Sequence, residues 1–281
     1  MRPRLRLPLA ALLVLAGTAG CTSATTADGE KAPQGSAAAA VTRAARTTED
    51  AGSLRYRVTG RMPEQGRIST EGWVGTQPSA GRVRITTLGG AHPGTLELRM
   101  VGGHLYASLP ADGVRESHGR HWLDFGPTAK FRSGGGLRMD MTAMRDEAGR
   151  NPAREAAFLA GAGNLRRAGT GTVGGTRTTH YTGTAGVDAL RDRPAEPDGP
   201  GRTGLRRSLD AYAKLGVDEL RLDVWIDGRD RVRRQRVRGF GRHGELDLTV
   251  TFGDFGRPVS VSAPAPRDTV DIRKPAEKSA G

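Results

Sequence analysis

Cysteine occurs once in this 281-residue chain, at Cys21, so its thiol cannot close an internal disulfide and needs another role if the protein is exported. The other residues whose types and spacing could do chemistry are few. His118 and His121 in "HGRH" have the two-residue gap that lets two imidazoles share a metal ion, but no cysteine or third histidine nearby completes a ligand set. The string "GTGTVG", Gly169 to Gly174, matches G-x-G-x-x-G, which binds a pyrophosphate when it opens a helix. Here it sits inside "RRAGTGTVGGTRTTHYTGT", which reads as a strand, a Gly174-Gly175 turn and a second strand, so a nucleotide site is not expected. His180 alternates with Tyr181 on that second strand and reads as a packed strand residue. Asp227 and Asp230 are accounted for by a turn. The chain has no G-x-S-x-G elbow and no H-E-x-x-H pair, so the expectation is a non-enzymatic protein with no catalytic residues, no metal and no cofactor.

The elements around Cys21 give its thiol a use. Arg2, Arg4 and Arg6 precede the apolar stretch Leu7 to Leu15, and small residues follow up to the cysteine. This is the order of a secretory signal, and the apolar part falls well short of the roughly 20 residues that span a bilayer. Thr18-Ala19-Gly20-Cys21 resembles the lipobox of bacterial lipoproteins, with Thr18 where an aliphatic residue is usual. That resemblance implies cleavage before Cys21 and a diacylglyceryl group on its sulfur, and two acyl chains hold a protein stably on a membrane. We therefore expect a signal peptide over 1–20 and lipidation at Cys21, with the protein on the outer, extracytoplasmic face of the cytoplasmic membrane. Residues 21–40, "CTSATTADGEKAPQGSAAAA", lack aromatic residues and apolar periodicity and read as a flexible tether, whose reach is about 25 Å for some 19 residues.

Composition limits what the remainder can do. About 230 residues, from 41 to 270, fit one domain with a sizeable core. The net charge is +13, which raises the question of a polyanionic partner. Of the 43 basic residues all but five are arginine, a bias that fits a GC-rich genome such as that of an actinomycete. Aromatics make up only 5%, whereas single-stranded nucleic-acid binders interleave them with basic positions. Nucleic acid is thus not an expected partner, and anionic headgroups or wall polymers are better ones.

Periodicity supplies the architecture. Residues 38–50 have helical spacing at Val41, Ala44 and Ala45. The period then changes to two. Leu54, Tyr56, Val58 and Met62 alternate with Arg55, Arg57, Thr59 and Arg61, which marks a half-buried strand. The same alternation turns Val83 and Ile85 inward in "RVRITT", and Leu96, Leu98 and Met100 inward in "TLELRM". Gly102-Gly103 and Asp227-Gly228 read as two-residue hairpin turns; the latter lies between "ELRLDVWID", carrying Leu222 and Val224, and "RVRRQRV". "ELDLTVTF" adds Leu246, Leu248, Val250 and Phe252 on one face. Helices are expected at 139–149, at 151–163 with Pro152 in its first turn, and over "GLRRSLDAYAKLG" with Gly216 as its C-cap. A Pro- and Gly-rich loop at 191–204 reads as mobile and 271–281 as a disordered tail. The pattern is that of an antiparallel meander with interspersed helices, an α+β fold.

The ordered set "SLRYRVTG", "GGHLYASLP", "HWLDF", "GTVGGTRTTHYTGT", "LRLDVWIDGRDRVRRQRV" and "DLTVTFGDFGRPVSVSAPAP" resembles the LppX/LprA/LprF/LprG group of actinobacterial lipoproteins, whose domain is LolA-like. That resemblance implies a strongly curved antiparallel sheet, a half-barrel, with helices packed on its concave face and an apolar cavity between them. It further implies that the protein holds or transfers an acylated lipid or glycolipid, with a membrane transporter as a possible partner class. Tyr56, Val58, Val83, Ile85, Leu96, Leu98, Met100, Leu222 and Val224 are then the positions expected to line the cavity or its base. An interaction or sensing module built on the same half-barrel, packed solid, is the alternative.

Overall fold

Twelve strands form one sheet in the computed structural model, which describes residues 34–64, 66–76, 79–89, 93–126, 152–192 and 200–273. The N-terminal meander runs from β1 (Ser53–Met62) through β2 (Gly66–Thr76), β3 (Ser79–Thr87), β4 (Gly94–Val101) and β5 (His104–Ser108) to β6 (Trp122–Asp124). The C-terminal meander comprises β7 (Arg166–Val173), β8 (Thr176–Gly186), β9 (Glu219–Asp227), β10 (Val232–Gly241) and β11 (Gly244–Gly253). The two meanders join where β1 pairs with β11, and the sheet stays open, with β7 at one edge and β12 (Thr269–Asp271) at the other. β12 pairs with β6 in parallel. The sheet is therefore mixed rather than wholly antiparallel. The chain returns from β11 along an extended stretch and reaches β6 from the far side, a geometry that no hairpin rule predicts.

Turn chemistry fixes the register. Gly102 and Gly103 have φ of +59° and +78°, and Gly174 and Gly175 have +54° and +75°, the doubly left-handed backbone that a twisted two-residue hairpin requires. The β9–β10 connection differs from the expected Asp227-Gly228 turn, since it runs over 228–231. Asp227 is 5% exposed. Its Oδ1 accepts from the amides of Arg229 and Arg231, and its Oδ2 accepts from the Arg231 guanidinium. One buried carboxylate thus accepts from four donors and holds a wider loop than the dipeptide alone specifies.

Helices share one core with a single face of this sheet. α1 (Gln34–Glu49) contributes Ala37, Val41, Ala44 and Ala45, which are packed with Leu220, Leu222, Val224 and Phe252 from the strands. Thr48 locks this arrangement: its Oγ1 donates to the Ala44 carbonyl at 2.7 Å and accepts from the Val232 amide at 2.8 Å, with the side chain fully buried. The short α2 (Ala111–Glu116) follows β5. The expected helix over 151–163 is broken into a 3-10 turn (Pro152–Ala156) and α3 (Ala157–Ala160), with α4 (Val187–Arg191) after β8. α5 (Pro200–Lys214) buries Leu209 and Tyr212. It ends as expected at Gly216, φ +71°, where the amides of Gly216 and Val217 return to the carbonyls of Ala213 and Tyr212, closing the last turn. The expected helix at 139–149, the signal, Cys21 and the tether up to residue 33 lie outside the described residues; of the span expected as tether, 34–40 instead open α1, and of the loop expected over 191–204, residues 200–204 instead open α5.

Candidate functional site

The nine expected lining positions fall on one face of the sheet, because residues two apart on a strand share a face and the register carries that parity across strands. Tyr56 lies opposite Phe252 and Gly72, Gly72 opposite Val83, and Val83 opposite Leu98. One row over, Val250, Val58, Thr70, Ile85 and Leu96 follow one another across β11, β1, β2, β3 and β4. Met100 lies between Gly81 and Leu105, Leu222 between Gly183 and Val237, and Val224 between Tyr181 and Gln235.

Burial divides these residues. Tyr56, Val83, Leu98, Leu222 and Val224 are at most 3% exposed and form packed core. Val58, Ile85, Leu96 and Met100 are half-buried. They also belong to two apolar clusters: Val58 and Ile85 pack against the helix-covered core, while Leu96 and Met100 pack with Leu105, Ala107, Phe125 and Ile272. Val58, Ile85 and Leu96, with the buried Thr70 between Val58 and Ile85 in register, therefore run from one cluster to the other as an incompletely covered, largely apolar strip.

Gly72 explains how β2 serves this face. A Cβ at that position would lie 2.2 Å from Cζ of Tyr56. The Tyr56 ring occupies the space of the missing side chain, so an aromatic on β1 supplies the apolar surface that β2 lacks.

The opposite face is polar. Glu97 is its centre, 6% exposed. Its Oε1 accepts from Nε of Arg82 at 2.9 Å and Nε of Arg99 at 2.8 Å, and its Oε2 accepts from Nη2 of Arg84 at 2.8 Å. Burial on its own raises the carboxyl, but the hydrogen bonds from Arg82, Arg84 and Arg99 outweigh it and bring the pKa down to about 2. Glu71 accepts from Arg55 and Arg57, and the hydrogen bond from Arg55 lowers its pKa most. Asp223 is bonded by Nη2 of Arg238 at 2.6 Å and lies 2.9 Å from Nε2 of His180. There too burial opposes, yet the pKa is held below the ordinary value.

All three tryptophans belong to this face. Trp73 lies between the guanidinium groups of Arg55 and Arg82, at 5.1 and 5.6 Å, and Arg99 sits 4.4 Å above Trp122. Trp225 stacks on His180 at 4.4 Å and carries Arg234 at 5.6 Å, within the range of cation–π attraction. The interleaving of arginine with aromatic rings, which composition did not show, arises only when strands are brought side by side.

Other residues singled out by their chemistry are placed plainly. His121 Nδ1 is 2.7 Å from Asp268 Oδ1, and no group of three metal-ligating side chains occurs among the described residues. Gly169 to Val173 belong to β7, so the glycine motif opens no helix. Asp230 pairs with Arg43 on α1 at 2.8 Å. No helix among the described residues is long and apolar enough to cross a membrane. A pocket of about 370 Å³ lies at the β1–β2 end of the sheet, against β11, lined by Thr59, Arg61, Arg67, Ser69, Glu245 and Asp247 among others.

No protein-family model matches the chain. It is 26% identical over 250 residues to a putative lipoprotein of Streptomyces coelicolor, covering 85% of this chain and 76% of that protein. It is 25% identical over 182 residues, 64% of this chain, to an uncharacterized 31.2 kDa protein of Streptomyces griseus, of whose length it spans 58%, less than two thirds. Among solved structures it is similar to lipoprotein LppX of Mycobacterium tuberculosis, with 18% identity, 82% of this chain and 100% of that chain covered, and a TM-score of 0.49. The corresponding values for LprF of Mycobacterium bovis are 16%, 83%, 99% and 0.49. These are members of the group that the sequence motifs resemble.

Proposed function

We propose that this protein is a membrane-anchored lipoprotein that holds or transfers an acylated lipid against the helix-covered face of its sheet, without catalysis. That face is then the concave side of a half-barrel. The observation that supports the reading most is the half-buried strip of Val58, Ile85 and Leu96, which joins two apolar clusters and is only partly covered. Each methylene that moves from a bilayer to such a strip exchanges one apolar medium for another, so net affinity is modest and release is easy. The kinship with the Streptomyces coelicolor putative lipoprotein, with the signal order ahead of Cys21, supports lipidation at Cys21 and an extracytoplasmic location. A transporter that loads or unloads the lipid would be its membrane partner.

The full chain, purified from the membrane fraction and extracted with organic solvent, tests this. Mass spectrometry is expected to find a stoichiometric acylated lipid besides the covalent anchor. A second reading, a solidly packed interaction module, has its own support in the near-complete burial of Tyr56, Val83, Leu98, Leu222 and Val224. Absence of extractable lipid together with no binding of a fluorescent acyl probe would favour it.

A further inference from the structure

Arg61 on β1 and Arg67 on β2 lie directly opposite each other in the antiparallel register. Like charges so placed repel and destabilise a strand pair. Other crowded arginines on this face share a carboxylate: Arg55 and Arg57 hold Glu71, Arg82, Arg84 and Arg99 hold Glu97, Arg236 holds Asp247, and Arg238, which lies opposite Arg221, holds Asp223. Arg61 and Arg67 are exposed, and neither side chain has an ion-pair or hydrogen-bond partner among the described residues. Asp247, the β11 residue paired in register with Arg61, is already committed to Arg236 at 2.5 Å.

Both free guanidinium groups line the pocket at this end of the sheet, and so do the hydroxyl-bearing Thr59 and Ser69, which are themselves opposite each other. On the β11 side the lining is acceptor only, Glu245 and Asp247. We propose that this pocket binds a polyol phosphate: the phosphate on the Arg61–Arg67 pair, with hydroxyl donors from Thr59 and Ser69, and the ligand's own hydroxyls donating to Glu245 and Asp247. Two guanidinium groups with no carboxylate of their own supply the planar, charge-assisted donors that a phosphate takes. A bare anion would meet the two carboxylates unfavourably, whereas a phosphate carrying hydroxyls uses them. Leu88, 65% exposed, sits at the same pocket and offers an apolar contact to whatever the polyol is attached to. The site lies apart from the acyl-binding strip and does not depend on that reading.

The chemistry is shared by a lipid headgroup and by a free sugar or glycerol phosphate, and two probes separate them. The full-length protein is titrated with glycerol 3-phosphate by calorimetry. In parallel the full chain carrying Cys21→Ser, which lacks the acyl anchor, is sedimented with phosphatidylglycerol-containing vesicles, with pure phosphatidylcholine vesicles as reference. Arg61→Gln and Arg67→Gln are each expected to weaken the binding about tenfold or more, while Arg177→Gln on β8 leaves it unchanged. Loss of glycerol phosphate binding in the two variants supports a soluble ligand, and selective loss of vesicle binding supports a headgroup. Because the pair is repulsive, both variants are expected to keep or raise the melting temperature. Equal binding by wild type and both variants, binding of neither probe, or binding that falls only as much as it does in Arg177→Gln would overturn the proposal.

Discussion

Glu97 has traded water for three guanidinium groups, and its protonation shows what that exchange is worth. The carboxyl titrates at about 2 in the folded protein against an ordinary value of 4.5. The unfolded chain therefore takes up the proton first as pH falls. The stabilisation is complete above pH 4.5, drains away between there and about 2, and amounts to roughly 3 kcal/mol if the whole difference is realised. Glu97→Gln is expected to lose about that much at neutral pH and to flatten this part of the acid limb of stability, read from urea denaturation at stepped pH. Wild-type and variant curves that fall in parallel between pH 4.5 and 2 would show that the arginine hub contributes nothing. Gly72 makes a second demand at this scale. With the Tyr56 ring 2.2 Å from where a Cβ would go, Gly72→Val is expected to cost about 1–3 kcal/mol through overpacking. The same substitution in a Tyr56→Leu background should cost measurably less, because the two side chains compete for one space.

At the level of elements, sequence periodicity located most strands that alternate cleanly, and their paired glycines set the turns at Gly102-Gly103 and Gly174-Gly175. β2 escaped because its inward positions, Ile68, Thr70, Gly72 and Val74, are half non-apolar; the Tyr56 ring makes up the difference, and that depends on register. The Arg61–Arg67 opposition was invisible for the same reason, since it exists only once β2 is paired with β1. The helix expected over 151–163 shortened to a 3-10 turn and α3, where packing against α1 and the strands overrides propensity. The parallel β12–β6 pair joins residues 269–271 to 122–124, too distant in sequence for local pattern to reveal. By contrast, Thr48 shows how α1 is seated. Thr48→Val would leave the Val232 amide buried without an acceptor and is expected to lower unfolding free energy by about 1–3 kcal/mol. A change within a few tenths would mean that apolar packing alone positions the helix.

For the whole molecule, the proposed function assigns location and activity to different parts of the chain. Cys21→Ser is expected to release the protein from the membrane fraction into the medium, and continued retention would contradict the anchor. The folded part supplies the two unlike faces of one sheet: an apolar face shared with the helices, and an arginine-rich face tied by Glu71, Glu97, Asp223 and Asp247. That the nine positions expected to line a cavity share one face was legible from alternation alone. Their split into five sealed and four half-covered residues was not, because helix coverage is a tertiary property. The half-covered strip is where lipid binding must show itself if it occurs. The most direct test is the affinity of a fluorescent acyl probe for the wild-type protein and for Ile85→Arg and Leu96→Arg, all confirmed folded by circular dichroism. Saturable binding weakened about tenfold or more in both variants is predicted, since a charge on the strip must be desolvated when an acyl chain covers it. Binding that is absent in the wild type, or unchanged by either arginine, would contradict the account.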